Sequence, residues 1–521
     1  MKFAIVCSLA AATVLVGSEA YPPPRFTDPD RVRKLEGGMP EVDQIFRRYA
    51  EGRKIPGMVW GVVMDGRLAH VETAGVFDRS SNAPVTASTV YRIASMTKSF
   101  TALAILQLRD EGKLSLEDAV SRWIPEFRRM ELPTRDTAPL VIRQLLSHSA
   151  GFPEDNPWGD QQLSVSDADL TKWLLRGIPF STAPGSHYEY SNYGFGLLGR
   201  IVTKVSGVPY EDYVRTRILS RLGMENSTFE FSGIPAGRRA VGYRLQGDGT
   251  YLEEAPLPHG VFGSMGGLLT TATDLGKYVA FHLSAWPARD DPETGPVRRA
   301  SVREMSRMWT TSRLTAGRSG GAVRAAETGY GYGLGITTDC RFEHSVGHGG
   351  GLPGFGSYMA WLPEYGVGMF AMANLTYAGP AAPISEAWDV FLKTGGLRKR
   401  ELPPSPILSR MRERIFQLWM RWDDGEAKEI AAMNLFLDKP ASQRRAEIQK
   451  LKDEVGECTA GPLIPENWLR GSFHLSCGKD TVGVFFTLAP TQPPAVQHLA
   501  FRKLDADGIR MSAPTSVACS E

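Results

Sequence analysis

Ser95, Met96, Thr97 and Lys98 place a hydroxyl and an amine three residues apart, a spacing that sets them one turn apart on the same face of a helix. A serine hydroxyl is a poor nucleophile at neutral pH, and a lysine can act as its base when burial or neighbouring charge lowers the lysine pKa. Ile93, Ala94 and Phe100 flank the pair with apolar side chains, so the lysine is predicted to lie off the solvated surface. Taken alone, the same spacing also describes an ordinary exposed helix pair. A second chemical signal is Tyr190-Ser191-Asn192, where a tyrosine on a loop could relay protons, although Tyr and Asn equally suit turns and rims. The third is His348-Gly349-Gly350-Gly351, following the strand-like Ser345-Val346-Gly347. Glycines admit a substrate backbone to a strand edge, and a backbone N–H there could complete an oxyanion hole. An edge strand with a glycine bulge would read the same way.

The elements that must hold these groups are partly legible. Val59 to Val63 and Leu68 to Val71 flank Asp65-Gly66, a hairpin signal. Tyr358 to Leu362 and Val367 to Ala371 surround Pro363-Glu364-Tyr365-Gly366, a second one. Between these strand groups the pattern is mainly helical. The helix opening near Ser95 is apolar on more than one face through Phe100, Leu103, Ile105, Leu106 and Leu108, and stops at Gly112, so it is predicted to be central and rigid. Ser115 to Asp118 and Thr271 to Asp274 have the Ser/Thr-x-x-acid form that opens helices. The fold class that follows is α+β, an α/β sandwich: an antiparallel sheet of N- and C-terminal strands with an inserted all-helical lobe, the cleft lying between sheet and lobe.

Arg398 to Pro406 breaks the composition with consecutive prolines. The domains expected are therefore 35–395, a linker over 396–406, and a small α+β accessory module over 407–521. In that module Ile407 to Trp422 and Ala441 to Val455 read as helices, and Val482 to Thr487 and Val496 to Phe501 as strands. Residues 1–20 carry Lys2, an apolar run from Phe3 to Val16 and the small-x-small close Ser18-Glu19-Ala20, which reads as a signal peptide and a secreted or periplasmic location. No later segment is apolar for long enough to cross a membrane. In an oxidising compartment Cys340, Cys458, Cys477 and Cys519 could form up to two disulfides, in a pairing the spacing leaves open. Asn226 and Asn374 head glycosylation sequons. With Lys+Arg 59 against Asp+Glu 57 and a net charge of +2 over 521 residues, there is no field of the kind that gathers nucleic acid.

In this order and at these intervals the three boxes resemble the penicillin-recognising serine hydrolases, specifically the class C β-lactamase and D-alanyl-D-alanine carboxypeptidase branch. The resemblance covers residues 35 to 395. It is reinforced by Leu145 to Gly151, with Ala150 where serine is usual, and by Gly266 to Leu275 and Gly331 to Gly335. It implies that Ser95 forms an acyl-enzyme, that Lys98 and Tyr190 share the base and proton-shuttle roles, and that Asn192 orients substrate. It further implies that the N–H groups of Ser95 and Gly351 hold the oxyanion, with His348 and Gly350 lining the substrate strand and His148 tying a loop. No metal or organic cofactor is called for, and the expected partner is a small-molecule or peptide substrate; oligomeric state is open. His348 in the third box moves the reading towards a D-stereospecific peptidase or amide hydrolase of carboxypeptidase-like type. A carboxylesterase or a β-lactamase on the same fold is the alternative, and a catalytically inactive binding or sensing homologue the alternative of another class. The C-terminal module reads either as a docking element or as a stabilising extension.

Overall fold

The structure, a computed structural model, describes residues 21–319, 322–478 and 480–504. The chain divides into two compact units: Phe26–Lys399, and Arg400 onward together with the lead segment up to Arg25. The larger unit is built on a nine-stranded antiparallel sheet. Its strands are β1 (Gly57–Met64), β2 (Arg67–Asp78), β3 (Ala83–Pro84), β4 (Thr310–Ser319), β5 (Ala322–Tyr330), β6 (Gly335–Asp339), β7 (Ser345–Leu352), β8 (Phe355–Leu362) and β9 (Val367–Ala373). They run in the order β3-β2-β1-β9-β8-β7-β6-β5-β4. The sheet therefore closes N-terminal strands onto C-terminal ones, with β1 paired to β9 from Met58↔Ala373 to Met64↔Val367.

Alternation along β1 shows why the sheet is buried on both faces. Met58, Trp60, Val62 and Met64 join the core beneath helices Met39–Gly52 and Ala381–Lys393. Val59 and Val63 point the other way, into the core shared with the helices between the two strand groups. Period two assigns each side chain to one layer, and both layers are apolar. The Asp65-Gly66 turn has φ of 48° and 80°, the two positive values that a type I′ hairpin requires.

Two sequence expectations are corrected. The region between the strand groups is not only helical, because β4, β5 and β6 come from it. β4 and β5 are rich in Thr, Arg, Ala and Gly, and the described part of β4 is exposed, so they lack the apolar alternation by which strands are recognised. Ser115 to Asp118 forms a turn rather than a helix start: the Ser115 N–H donates to Asp118 Oδ2 at 3.0 Å, and the next helix begins at Val120. Thr271 does cap a helix, Ala272–Ser284, its hydroxyl accepting from the Asp274 N–H at 3.2 Å.

The smaller unit folds a four-stranded antiparallel sheet (Cys458–Asn467, Arg470–Cys477, Asp480–Leu488, Val496–Leu504) against helices that include Pro406–Met420 and Ala441–Val455. Cys458 and Cys477 face each other across the first strand pair and form a disulfide. Cys519 and the leader-like segment 1–20 lie outside the described residues. The Tyr21 ring stacks on Trp468 with centroids 5.0 Å apart, and Arg25 pairs with Glu401. Asn374 is fully buried: its Oδ1 accepts from the Gly57 N–H at 2.7 Å, so the second sequon serves the sheet and not a glycan. Among the described residues no helix is long and apolar enough to cross a membrane.

One close approach sets the position of β7. A Cβ on Gly350, in β7, would stand 2.2 Å from the Ile93 carbonyl oxygen and 2.4 Å from Ser357 Oγ. Only glycine lets β7 lie against the turn that carries Ser95. Gly350→Ala is expected to cost about 1–3 kcal/mol of stability, as overpacking does, and to lower Tm in a thermal melt. Gly52→Ala, at a helix end where a Cβ would meet nothing, is expected to leave Tm level or raise it.

Candidate active site

Ser95 lies in a single 3₁₀ turn, Ala94–Met96, that runs straight into the helix Thr97–Asp110. Ala94 adopts φ of 49°, a left-handed conformation that a residue with a Cβ takes only when its surroundings impose it. Those surroundings are the Ile93 carbonyl, which accepts from Ser357 Oγ at 2.8 Å, and the Ile93 N–H, which donates to the Leu268 carbonyl at 3.0 Å. Ser95 is thus clamped between β7–β8 and the Gly266 to Leu275 segment. Beyond it the helix is buried almost throughout, with Phe100 stacked on Tyr278 at 3.8 Å. Gly333, at φ of 69°, passes over the Lys98 carbonyl, and Gly331 lies against the Met305 carbonyl, so each of these two positions needs glycine for a different contact.

Lys98 is fully buried and Ser95 only 8% exposed. Lys98 Nζ stands 2.9 Å from Ser95 Oγ, 2.7 Å from Asn192 Oδ1 and 2.9 Å from the Met265 carbonyl oxygen. Burial drives its pKa down to about 7, against the opposing pull of Asp160, Asp155 and Glu154. A neutral amine has two N–H donors and one lone pair. In that state the Asn192 and Met265 oxygens take the two donors and the lone pair is free to face the Ser95 hydroxyl, whereas the protonated amine donates to Ser95 Oγ as well.

Tyr190 closes the other side. Lys98 Nζ sits 4.9 Å from the centre of its ring. Burial pushes the phenol well above 10, with a hydrogen bond to Ser95 acting in the opposite direction. Tyr190 is held by His148, whose ring lies 4.2 Å from it, whose Nδ1 accepts from the Ser191 N–H at 3.1 Å and whose carbonyl accepts from the Glu189 N–H at 2.8 Å. Ser191 caps the next helix, Asn192–Ser206, by accepting from the Gly194 N–H. Asn192 is itself buried, its Nδ2 donating to Asn156 Oδ1 at 2.6 Å.

His348 stands 8% exposed on β7 with both ring nitrogens engaged. Nδ1 donates to the Gly349 carbonyl at 2.5 Å, which leaves Nε2 as an acceptor for the Tyr330 hydroxyl at 2.6 Å. Burial and the charge of Lys98 push its pKa down to about 3, so it is a neutral imidazole. Gly351 follows two residues beyond Gly349, under the ring of Tyr377.

The seven sequence-predicted residues, Ser95, Lys98, Tyr190, Asn192, His348, Gly350 and Gly351, are thus brought together where the sheet meets the helical lobe. Sequence reasoning missed the loop Phe152 to Gln161. Its Asp155 carboxylate accepts from the N–H groups of Asn192 and Tyr193 at 2.7 and 2.8 Å, and its Asp160 accepts from the Tyr377 hydroxyl at 3.0 Å. Tyr330, Tyr377 and the Met265 carbonyl were missed as well. Nothing in their local sequence marks them, because each acts across the fold. Among the described residues no cluster of His, Cys, Asp and Glu could hold a metal ion.

The Beta-lactamase family model matches residues 42–389. The chain belongs to the Beta-lactamase family. Relatives include Protein flp of Staphylococcus aureus (strain MW2), 29% identical over 338 residues, a match that spans 64% of this chain and 63% of that protein. Beta-lactamase-like protein 2 of Dictyostelium discoideum is 31% identical over 301 residues, 56% of this chain and 54% of that one. The matches thus take in less than two thirds of these relatives' lengths. The fold is shared with an octameric penicillin-binding protein homologue from Pyrococcus abyssi, with a TM-score of 0.59 at 22% identity over 89% of this chain and 90% of that one. It is shared also with a penicillin-binding protein from Bacillus halodurans, with a TM-score of 0.52 at 24% identity over 68% and 99%. The family's serine-hydrolase fold is therefore the frame in which Ser95 and Lys98 meet.

The buried amine has a thermodynamic signature. Its pKa in the folded state is below the unfolded value of about 10.4, so the unfolded chain binds more protons between about pH 7 and 10, and this group favours folding progressively as pH rises through that window. Lys98→Met removes the effect. The Tm of the variant relative to the parent is expected to shift in the variant's favour as pH falls from about 9 to about 6.5, measured by thermal melting. A Tm difference independent of pH would contradict the burial of a titrating amine.

Proposed function

We propose that this protein is a secreted or periplasmic active-site serine hydrolase that works through a Ser95 acyl-enzyme on D-amino-acid-containing peptides, related amides or esters. The observation that carries the reading is the 2.9 Å approach of a buried Lys98 Nζ to Ser95 Oγ, in surroundings that hold the amine near neutrality. The export assignment rests on the leader-like pattern of residues 1–20.

In this reading Lys98 takes the Ser95 proton as Oγ attacks the substrate carbonyl. Tyr190, whose phenol stays protonated at neutral pH, is placed to pass a proton to the departing amine or alkoxide and is restored from Lys98. Backbone N–H groups of Ser95 and Gly351 receive the oxyanion, a donor pair of the kind worth about 3 kcal/mol for each member. Water then releases the acyl group by the reverse proton path. Asn192 and the Met265 carbonyl hold the amine in place, Asp155 holds Asn192 through its backbone N–H, and Gly350 keeps β7 close to the nucleophile. The carboxypeptidase form of this activity calls for a cation to seat a terminal carboxylate. His348 is neutral and occupied at both nitrogens, which favours amide and ester substrates over that form.

Intact-mass analysis tests the reading with the purified chain, a labelled penicillin and a p-nitrophenyl ester, beside Ser95→Ala. The expected outcome is an acyl adduct or ester turnover in the parent and neither in the variant. Absence of both in the parent would refute the assignment.

A further inference from the structure

The charges around the nucleophile are one-sided. The groups whose charge acts on Lys98 are the carboxylates of Asp160, Asp155 and Glu154. Asp155 is spent on the helix start, both its oxygens accepting from N–H groups of Asn192 and Tyr193. Asp160 is different. It is 3% exposed, and its Oδ2 accepts from the Tyr377 hydroxyl, while Oδ1 accepts from no donor among the described residues.

The position of Asp160 is fixed from three sides. Its neighbour Gly159 abuts the Asn192 side chain, with a Cβ there meeting Asn192 at 2.7 Å. Tyr377, at φ of 54°, lays its ring against Gly351, where a Cβ would come within 2.7 Å of it, and reaches from there to Asp160. The Asp160 charge also acts on Tyr190. The carboxylate thus lies within electrostatic reach of Lys98 and Tyr190, and Tyr377 joins it to Gly351 on β7. The cation whose charge acts on Asp160 is Lys98, and in its neutral, basic form that amine leaves the carboxylate uncompensated. His348 is neutral and doubly engaged, and Arg244, whose charge acts on Tyr377, is paired with Glu254.

We propose that Asp160 is a specificity residue that receives the ammonium group of the substrate, so that the cleft takes acyl donors bearing a free amine and disfavours those bearing a carboxylate. This rests on the serine-hydrolase reading and narrows its substrate class to amino-acyl amides, peptides and esters with an unblocked amine. Tyr377 orients Asp160 by donating to Oδ2, which leaves Oδ1 for the incoming cation. A substrate carboxylate in the same place would meet a buried like charge, and that juxtaposition suppresses wrong partners.

Three p-nitroanilides of D-alanine separate the charges: the free amine, the N-acetyl and the N-succinyl derivative. At about pH 7 the free α-amine is mostly protonated. The full chain is expected to show kcat/KM highest for the free amine and at least about tenfold lower for the succinyl compound, with the acetyl compound between them. Each is also run as an inhibitor of p-nitrophenyl acetate hydrolysis, so that a slow substrate still reports its binding preference. Asp160→Asn is expected to compress the amine-to-succinyl ratio to within about threefold, and Asp160→Glu to keep the sign of the preference. Equal or better use of the acetyl or succinyl compound by the parent would overturn the proposal, without needing any variant to fold. An unchanged ratio in Asp160→Asn would overturn it too. Failure of the parent to exceed Ser95→Ala on p-nitrophenyl acetate and all three anilides is a different result: it removes the hydrolase reading itself, and this inference with it.

Discussion

The geometry of the site depends on how one buried amine is held. Lys98 Nζ has three neighbours within hydrogen-bonding distance, two of them carbonyl oxygens that can only accept. When the amine is neutral, those two acceptors direct its donors and leave the lone pair for Ser95 Oγ, 2.9 Å away. Burial lowers the pKa, and the nearby carboxylates stop it from falling further. Too few carboxylates would leave the lysine a weak base, and too many would leave it charged at neutral pH. The acidic loop Phe152 to Gln161 is therefore part of the tuning.

Much of the architecture can be read as the means of holding that arrangement rigid. Asn192 can serve Lys98 because its helix starts where Ser191 caps it and Asp155 collects its first N–H groups. Carboxylate at a helix N-terminus is favoured both by orphan donors and by the helix dipole. Ser95 can face Lys98 because Ala94 is forced into a left-handed conformation by β7 and by the Leu268 contact. Such strain persists only where the surroundings over-determine the backbone. The glycine run of β7 provides the close approach that makes this possible.

The sheet and site were legible in the sequence to different depths. Both hairpins and the capped helix after Thr271 announce themselves through local turn and cap chemistry, and the buried helix after Ser95 through its apolar faces. Strands β4 to β6 did not, because the polar and small residues of β4 and β5 carry no apolar alternation. The residues of the boxes were found by type and spacing. What joins them was hidden: Met265 contributes a carbonyl that any residue would carry, and Tyr330 and Tyr377 act on partners 18 and 217 positions away. The role of His348 illustrates the limit. Its place on the glycine strand was visible, while its engagement by Tyr330 and the Gly349 carbonyl needed the packed fold.

The central claim is that Lys98 is the base and that its surroundings set it near neutrality. It is tested most directly by the rate of Ser95 acylation as a function of pH, followed by stopped-flow with a chromogenic ester in single turnover. The acid limb is expected to rise with unit slope and a midpoint near the lysine value of about 7, and to be lost in Lys98→Met. A limb centred above about 9, where an unperturbed lysine titrates, or one that survives in Lys98→Met, would contradict it.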